Sequence, residues 1–592
     1  MEQILTSISI EEKTVLNLFN LPFLDTSQLT KETSTILSLK KTKKVKDNSF
    51  GVFISIHRYL SKLKDYPEDI HGCIGYWNNS FKSLSQQELF DNIMRVSRDA
   101  LLTDDRRTYF PSIETDVLST VEISYMMNPV YEIDPKTGKI LNSKREVFNN
   151  NKYGLIVSSN SNSNSNNSRA TFLPKVFEGI DWNSIKSKIL SKAGISSSSS
   201  SSSIKYYAYK TKVKTIKLFD IISRNNYPRM LIKNFKNFIQ MSLKDNSIHY
   251  IPYNVNQNGT IICDEKEEIR NLSVLETFMK SYLSLSSTFN SHFKKSHKSH
   301  KSKKSNRKAP RNEFGLNQNL NKENPKFDLI NLDDEIQKVI NYSLTKIDSL
   351  DNQTLANLIS SIITYYTVYE LLYKEEPKLK GFDILDIDEY IRKLFNDIKK
   401  AERKFERGQI ILALIDYYLF IGKSKKKELL SLIDLTFKLY LYKPLQEQDE
   451  EIKIDDVFRL NWDSQVFTKI FHTLNMIKIN QNTLNNTLTN FKKDILGYVL
   501  SNLGIYLKLF EKMGNEEMEQ LETNYLAVSF EGLMNLLSCL KIKEHPQILS
   551  ICFKLFLEIM KRYDTKTGLI KFISQDSRID IMCHFINPLI LL

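Results

Sequence analysis

The sequence predicts a multidomain chain in which an α+β domain over residues 1–220 precedes an all-α domain over residues 221–592. Two observations carry the division. Apolar runs of period 2 and of period 3.6 are interleaved in the first part, whereas almost every apolar run beyond residue 221 has helical spacing. A third observation bounds the whole. A chain of 592 residues is too long for one ordinary core, and 41% hydrophobic residues with 11% aromatics suffice to build more than one.

In the first part, Val52, Phe53, Ile54 and Ile56 form a strand-like run, and Val121, Ile123 and Tyr125 alternate with polar Glu122 and Ser124 in another. Leu89, Ile93, Val96 and Ala100 recur at helical spacing. Two more strand-like runs, 153–157 and 170–173, flank a Ser/Asn tract at 158–168, which predicts an expanded hairpin loop. A serine tract fills 196–203. Neither tract has apolar side chains to bury, so both are expected to be disordered loops.

Beyond residue 221, roughly twelve helical candidates follow by periodicity. Ile387, Ile391, Leu394 and Ile398 mark a single stripe, whereas residues 410–415 are apolar nearly all round. A ring of α-hairpins needs this alternation, because its inner helices are covered on all sides and its outer helices on one. The expected form is an (α/α)6 toroid-like domain of helical hairpins, interrupted by a disordered basic insertion at 288–326.

The net charge of +14 points to a polyanion, but it is concentrated. Residues 291–311 hold nine Lys and Arg and no acid, and removing those nine from +14 leaves +5 for the rest. The tract has no aromatic after Phe293 to stack on bases, so it suits a nuclear localisation signal or a nonspecific polyanion contact better than sequence-specific nucleic-acid binding. Five scattered cysteines with no CxxC pair indicate neither a zinc site nor a disulfide framework. The first residues carry Glu2, Glu11 and Glu12 where a signal peptide needs basic residues and an apolar core. The most apolar helix candidate, 409–421, is interrupted by Asp416 and falls short of the roughly 20 residues of a membrane span. A soluble cytoplasmic protein is expected, or a nuclear one if the basic tract serves as an import signal. No phosphate loop, GxGxxG, HExxH or GxSxG occurs, and no metal or cofactor is expected.

Gly51 to Ile56, the His71–Gly75 run and further motifs downstream resemble, in order, those of the AMMECR1 family. Gly51 to Ile56 followed by His71, Gly72, Cys73, Ile74 and Gly75 resembles the family's opening strand and RGCIG motif. Asp104, Asp105 and Arg106 with Phe110 and Pro111 are similar to its aspartate-arginine-phenylalanine-proline segment. Ala170, Thr171, Phe172, Leu173 and Pro174, then Trp182, then Lys192, Ala193 and Gly194 resemble its ATYLPEV, tryptophan and KAG landmarks. His71 stands where the family has arginine, and the Asp-Arg segment carries an extra residue or two. The resemblance implies an α+β fold with two subdomains and a cleft near the GCIG motif, and it implies no particular reaction. Gly72, Cys73, Gly75, Asp104, Arg106 and Thr171 become ligand-binding candidates on this basis.

Residues two apart on a strand share a face, so His71 and Cys73 are candidates for a thiol nucleophile with an imidazole beside it. The bland reading of Cys73 is a small buried hydrophobe among glycines and aliphatics. Gly72 and Gly75 mark a close approach of the backbone, to a ligand or to a neighbouring strand. Asp104 with Arg106 is either a ligand-binding pair or a plain loop ion pair.

In the second part, Asn258, Gly259 and Thr260 before Arg270, the helix start from Asn524 through Tyr525 to Glu531, and Arg578, Ile579 and Asp580 after Ser577 resemble the (α/α)6 toroids of carbohydrate-active proteins. Six-hairpin glycosidase-like and uronate epimerase-like domains are among them. The resemblance implies Arg270 and Arg578 as ligand-binding candidates, and Tyr525, Asp580 and His584 as catalytic ones. Asp580 and His584 are four apart and share a helix face. Asp580 equally suits the first turn of a helix, where the dipole favours an acid.

The leading expectation is a module that binds a small molecule or protein partner through its first domain, with the toroid as scaffold or carbohydrate-binding part. The alternative is an enzyme acting through Cys73 or on carbohydrate in the toroid. Nucleic acid is a partner only through the basic tract, and no membrane association is expected.

Overall fold

The computed structural model describes residues 48–57, 70–104, 120–141, 146–159, 168–177, 179–195, 204–217, 226–244, 254–255, 268–285, 333–373, 379, 386–401, 404–440, 453–476, 482–511, 513, 515–540, 545–564, 569–571 and 577–591. Arg106, most of the Ser/Asn tract, the serine tract and the basic insertion lie outside these residues. The chain divides into two compact units, Met1–Asp220 and Ile221–Leu592.

The first unit runs β1 (Ser49–His57), β2 (Ile70–Trp77), α1 (Gln86–Leu102), β3 (Thr120–Ile133), β4 (Gly154–Ser159), β5 (Arg169–Phe172), α2 (Trp182–Lys192) and β6 (Ile204–Lys217). The strands form one antiparallel sheet in the order β2-β1-β3-β6-β4-β5. Strand β1 reads as a continuous apolar run because both its faces are covered. Helix α1 packs on β1 and β2, while Phe50 and Phe53 enter a separate core with Met126, Ile156 and Tyr209. A second core joins Leu155 and Val157 of β4 to Ile185 and Ile189 of α2.

Helix α1 begins where Ser85 makes a capping box. Its hydroxyl accepts from the Glu88 N–H at 3.2 Å, and the Glu88 carboxylate accepts from the Ser85 N–H at 2.8 Å. Its buried stripe is Leu89, Phe90, Ile93, Val96 and Ala100. In α2 the Asp181 side chain caps the Asn183 and Ser184 N–H groups.

The second unit is mostly helical. Its elements are α3 (Asn226–Lys244), β7 (Asn254–Val255), α4 (Glu268–Leu285), α5 (Asp333–Leu344), α6 (Asn352–Tyr373), α7 (Ile387–Asp397), α8 (Lys404–Ile421), α9 (Lys426–Tyr440), α10 (Asp456–Met476), α11 (Asn482–Glu511), α12 (Asn515–Gln520), α13 (Thr523–Ser538), α14 (Pro546–Lys561), β8 (Tyr563–Asp564), β9 (Leu569–Ile570), β10 (Ser577–Arg578) and α15 (Ile579–Leu591).

Six of these helices neighbour one another in a series that returns to its start. Helix α4 packs on α6, α6 on α8, α8 on α10, α10 on α13, α13 on α15, and α15 on α4. The others flank this series: α3 on α4 and α15, α5 on α6, α7 and α9 on α8, α11 on α10, and α14 on α13. The sequence pattern follows the packing. In α8, Ile410, Ile411, Ala413, Leu414, Ile415, Tyr417 and Tyr418 are all buried, so several sides of the helix are covered, whereas α7 buries only Ile387, Ile391 and Leu394. Helices α13, α14 and α15 are pinned together by Phe530, Phe556 and Phe585, whose ring centroids lie 5.6–6.1 Å apart. Among the described residues no helix is long and apolar enough to cross a membrane.

Candidate functional site

The GCIG strand is β2, and its register on β1 decides which side each residue serves. Gly72 pairs with Ile56 and Gly75 with Phe53. A Cβ on Gly72 would stand 2.0 Å from the Ala100 carbonyl oxygen, so this glycine exists to let α1 press on the sheet. A Cβ on Gly75 would meet the Phe53 ring at 2.3 Å, on the opposite face. The close approach at both glycines is therefore made by the protein's own side chain and backbone.

Cys73 pairs with Ser55, and Ser55 with Glu122 of β3, which places a thiol, a hydroxyl and a carboxylate side by side across three strands. The Ser55 hydroxyl lies 3.1 Å from Cys73 Sγ, and Ser124 donates to Glu122 at 3.2 Å. Cys73 is half-buried and packs at the margin of the core around Phe53 and Tyr209. Its N–H donates to Asp104 Oδ2 at 2.8 Å, so Asp104 ties the end of α1 to the GCIG backbone. Thr171 is buried; its hydroxyl donates to the Leu155 carbonyl at 2.9 Å and lies 3.0 Å from the Tyr209 hydroxyl. The backbone of His71 belongs to β2.

The second unit collects polar groups on the helices of the returning series. Glu531 of α13 is 3% exposed, yet both its carboxylate oxygens are occupied. Oε2 accepts from Asn461 at 2.9 Å and Gln465 at 3.2 Å, both on α10, and lies 2.7 Å from His584 Nδ1 on α15. Oε1 accepts from Asn587, also on α15, at 2.9 Å. The Asn587 side-chain oxygen in turn accepts from Thr277 of α4 at 3.0 Å. Four of the six serial helices therefore meet in one hydrogen-bonded network. Gly532 makes the approach possible, because a Cβ there would stand 2.2 Å from the Tyr506 hydroxyl and 3.2 Å from Asn461 Cα.

Charged neighbours extend the network. Lys280 pairs with Glu276 on α4, and Lys469 of α10 pairs with Asp416 of α8. Burial depresses the Lys280 ammonium, but the carboxylates of Glu276, Asp416 and Glu531 outweigh it and hold the group above its ordinary value. Burial also pushes the His584 imidazole down, and the Glu531 carboxylate overcomes this by charge and hydrogen bond, so His584 titrates above its ordinary value. The Cys583 and Cys552 thiols are pushed up by burial and are held as neutral packing groups.

Of the residues expected from sequence in this unit, His584 joins the network directly. Asp580 lies one turn earlier on α15, held by two Arg578 contacts at 2.7 and 3.2 Å and approached by Arg270 at 3.9 Å. It sits in the first turn of α15. Tyr525 is elsewhere. Its hydroxyl donates to Asp455 at 2.6 Å, an interaction that with some burial raises its pKa to about 12. Glu531, Asn461, Gln465 and Asn587 were not expected. A signal for Glu531 was present: it is the lone charged residue in the otherwise apolar and small-residue run of α13, where an isolated carboxylate is costly unless paired. No group of three or more His, Cys, Asp and Glu side chains suited to a metal ion occurs among the described residues.

Residues 24–214 match the AMMECR1 family model, so the first unit carries an AMMECR1 domain, while the match leaves the second unit and well over half of the chain uncovered. No curated protein matches the chain.

Proposed function

We propose that the chain is a ligand-binding protein in which the AMMECR1 domain is joined to an (α/α)6 toroid of six helical hairpins, and that a polar small molecule or glycan seats at the toroid's centre on the Glu531–His584 network. The returning series of six neighbouring helices supports the toroid reading. The observation that carries the ligand reading is Glu531 itself. A buried carboxylate supported by four side chains from two other helices stabilises a fold less than apolar residues of the same volume would. Such groups are retained where they do chemistry or recognition. The half-exposed side chains that hold it, Gln465, Asn587 and His584, offer polar contacts to hydroxyl and carboxylate groups.

The test is a thermal-shift screen of the full chain against oligosaccharides, uronates and nucleotides, repeated on Gln465→Ala and His584→Asn. A ligand that binds only the folded state raises its melting temperature by mass action. A stabilising sugar whose effect is lost in both variants supports the seat. Stabilisation that survives both substitutions moves the site out of the ring.

A further inference from the structure

Binding alone does not use one feature of the ring centre, the second nitrogen of the His584 imidazole. Its Nδ1 faces Glu531 Oε2 at 2.7 Å, which in the neutral ring places the proton on Nδ1 and the lone pair on Nε2. Among the described residues Nε2 has no hydrogen-bond partner, and the side chain is 28% exposed although it stands on an inward helix. A carboxylate behind an imidazole whose other nitrogen is unengaged is the arrangement that accepts a proton from water or a hydroxyl and stabilises the imidazolium that results.

The neighbouring groups narrow the reaction. Cleavage of a glycosidic bond calls for two carboxyl groups, one of them an acid at the leaving oxygen. Glu531 cannot serve, because both its oxygens are taken by four side chains, and Glu276, Asp416 and Asp580 are paired with Lys280, Lys469 and Arg578. Phosphoryl transfer calls for a cationic clamp, and Lys280, Lys469, Arg578 and Arg270 are each matched by a carboxylate. An acyl ester asks for less, namely a base for water and a proton donor for the departing alcohol, and one imidazole supplies both in turn.

We propose that the ring centre hydrolyses acyl esters, with His584 as the base that activates water and Glu531 as its positioning residue. The proposal rests on the reading that the ring centre seats a ligand. In the first step Nε2 takes a proton from water while the water oxygen bonds to the ester carbonyl carbon. In the second, the tetrahedral adduct re-forms its carbonyl, the bond to the alcohol oxygen breaks, and that oxygen takes the proton back from the imidazolium. Ester and water become acid and alcohol, and no oxidant or reductant enters.

The test uses the full chain and p-nitrophenyl acetate, with p-nitrophenolate release followed from about pH 5 to about pH 9. The expected result is a rate above buffer that rises with a single ionisation and falls about 10²-fold or more in His584→Asn. Glu531→Gln should retain part of the rate and shift the ascending limb to lower pH, since the carboxylate that holds the imidazole proton is gone. The other charges acting on His584, namely Asp580 and Arg578, and Arg270 beside Asp580, are the same in both proteins. A merely structural role for Glu531 would lower the rate without moving the limb. If Glu531→Gln does not fold, His584→Asn decides. Hydrolysis as fast in His584→Asn as in the wild type overturns the proposal. So does a wild type no faster than buffer while a ligand still stabilises the ring, which leaves the seat standing. A wild type that neither exceeds buffer nor is stabilised by any of the ligands overturns the seat as well.

Discussion

At the scale of single residues, two glycines of one motif differ in what they tolerate. Gly72 faces a main-chain oxygen of α1 that no side-chain rotation can clear, whereas Gly75 faces the Phe53 side chain, which clears a Cβ by a change of its χ1. Gly72→Ala should therefore destabilise the first unit by about 1–3 kcal/mol, and by more than Gly75→Ala, in urea denaturation of the full chain followed on the first unit. An equal or smaller loss for Gly72→Ala would show that α1 does not bear on the sheet at this point. His584 gives a prediction about pH. Its folded pKa is raised, so its contribution to stability is fully present below about pH 6.5 and is lost as pH rises through the folded value. His472 has the opposite sign, because burial, with Lys469 beside it, lowers its pKa. The stability difference between the wild type and His584→Asn isolates the first effect. It should shrink as pH rises from about 6 to about 8, and in the Glu531→Gln background it should be flat.

At the scale of elements, each helix is held by a local device and by one packed face. Helix α1 has no basic residue in its last turn, so its polar support is concentrated in the Ser85–Glu88 box. Ser85→Ala should cost about 1 kcal/mol, read as a lower denaturation midpoint of the first unit. Helix α13 is held differently, by apolar burial along nearly its whole length. Phe530 touches rings from α14 and α15 at once, so Phe530→Ala should cost about 3–5 kcal/mol in the second unit. A cost below 1 kcal/mol would mean that the three helices close over the gap. Because α13 also carries Glu531 and α15 carries His584, the same substitution should loosen the network and raise the solvent exposure of His584, measurable as faster carbethoxylation.

At the scale of the whole molecule, the chain consists of two compact units, the first built on a sheet with two apolar clusters and the second mostly on helices. Residues 1–220 and 221–592 produced as separate proteins should each melt cooperatively, and the full chain should show both transitions in calorimetry. A single transition for the full chain, with neither half folding alone, would show that the two cores depend on each other. The basic tract at 291–311 accounts for nine of the fourteen net charges. Deleting it should therefore weaken retention on an anionic resin far more than it changes either melting temperature.

The sequence alone determined what depends on local pattern. A continuous apolar run became β1 and an alternating one β3, the Leu89–Ala100 stripe became the buried side of α1, and the change of texture near residue 220 separates a sheet from a set of helices. Ordered motifs in the first part were enough to identify the AMMECR1 domain. The site in the second unit was only partly legible. His584 and Asp580 stood out as a polar pair on one helix face, but the partner that gives His584 its chemistry is fifty-three residues earlier in the chain. Asn461 and Gln465 come from further still. Periodicity reports which face of a helix is buried and is silent on which distant face it meets. Only tertiary packing, with Gly532 letting α10 and α13 approach, decided that a carboxylate, an imidazole and three amides share one buried point.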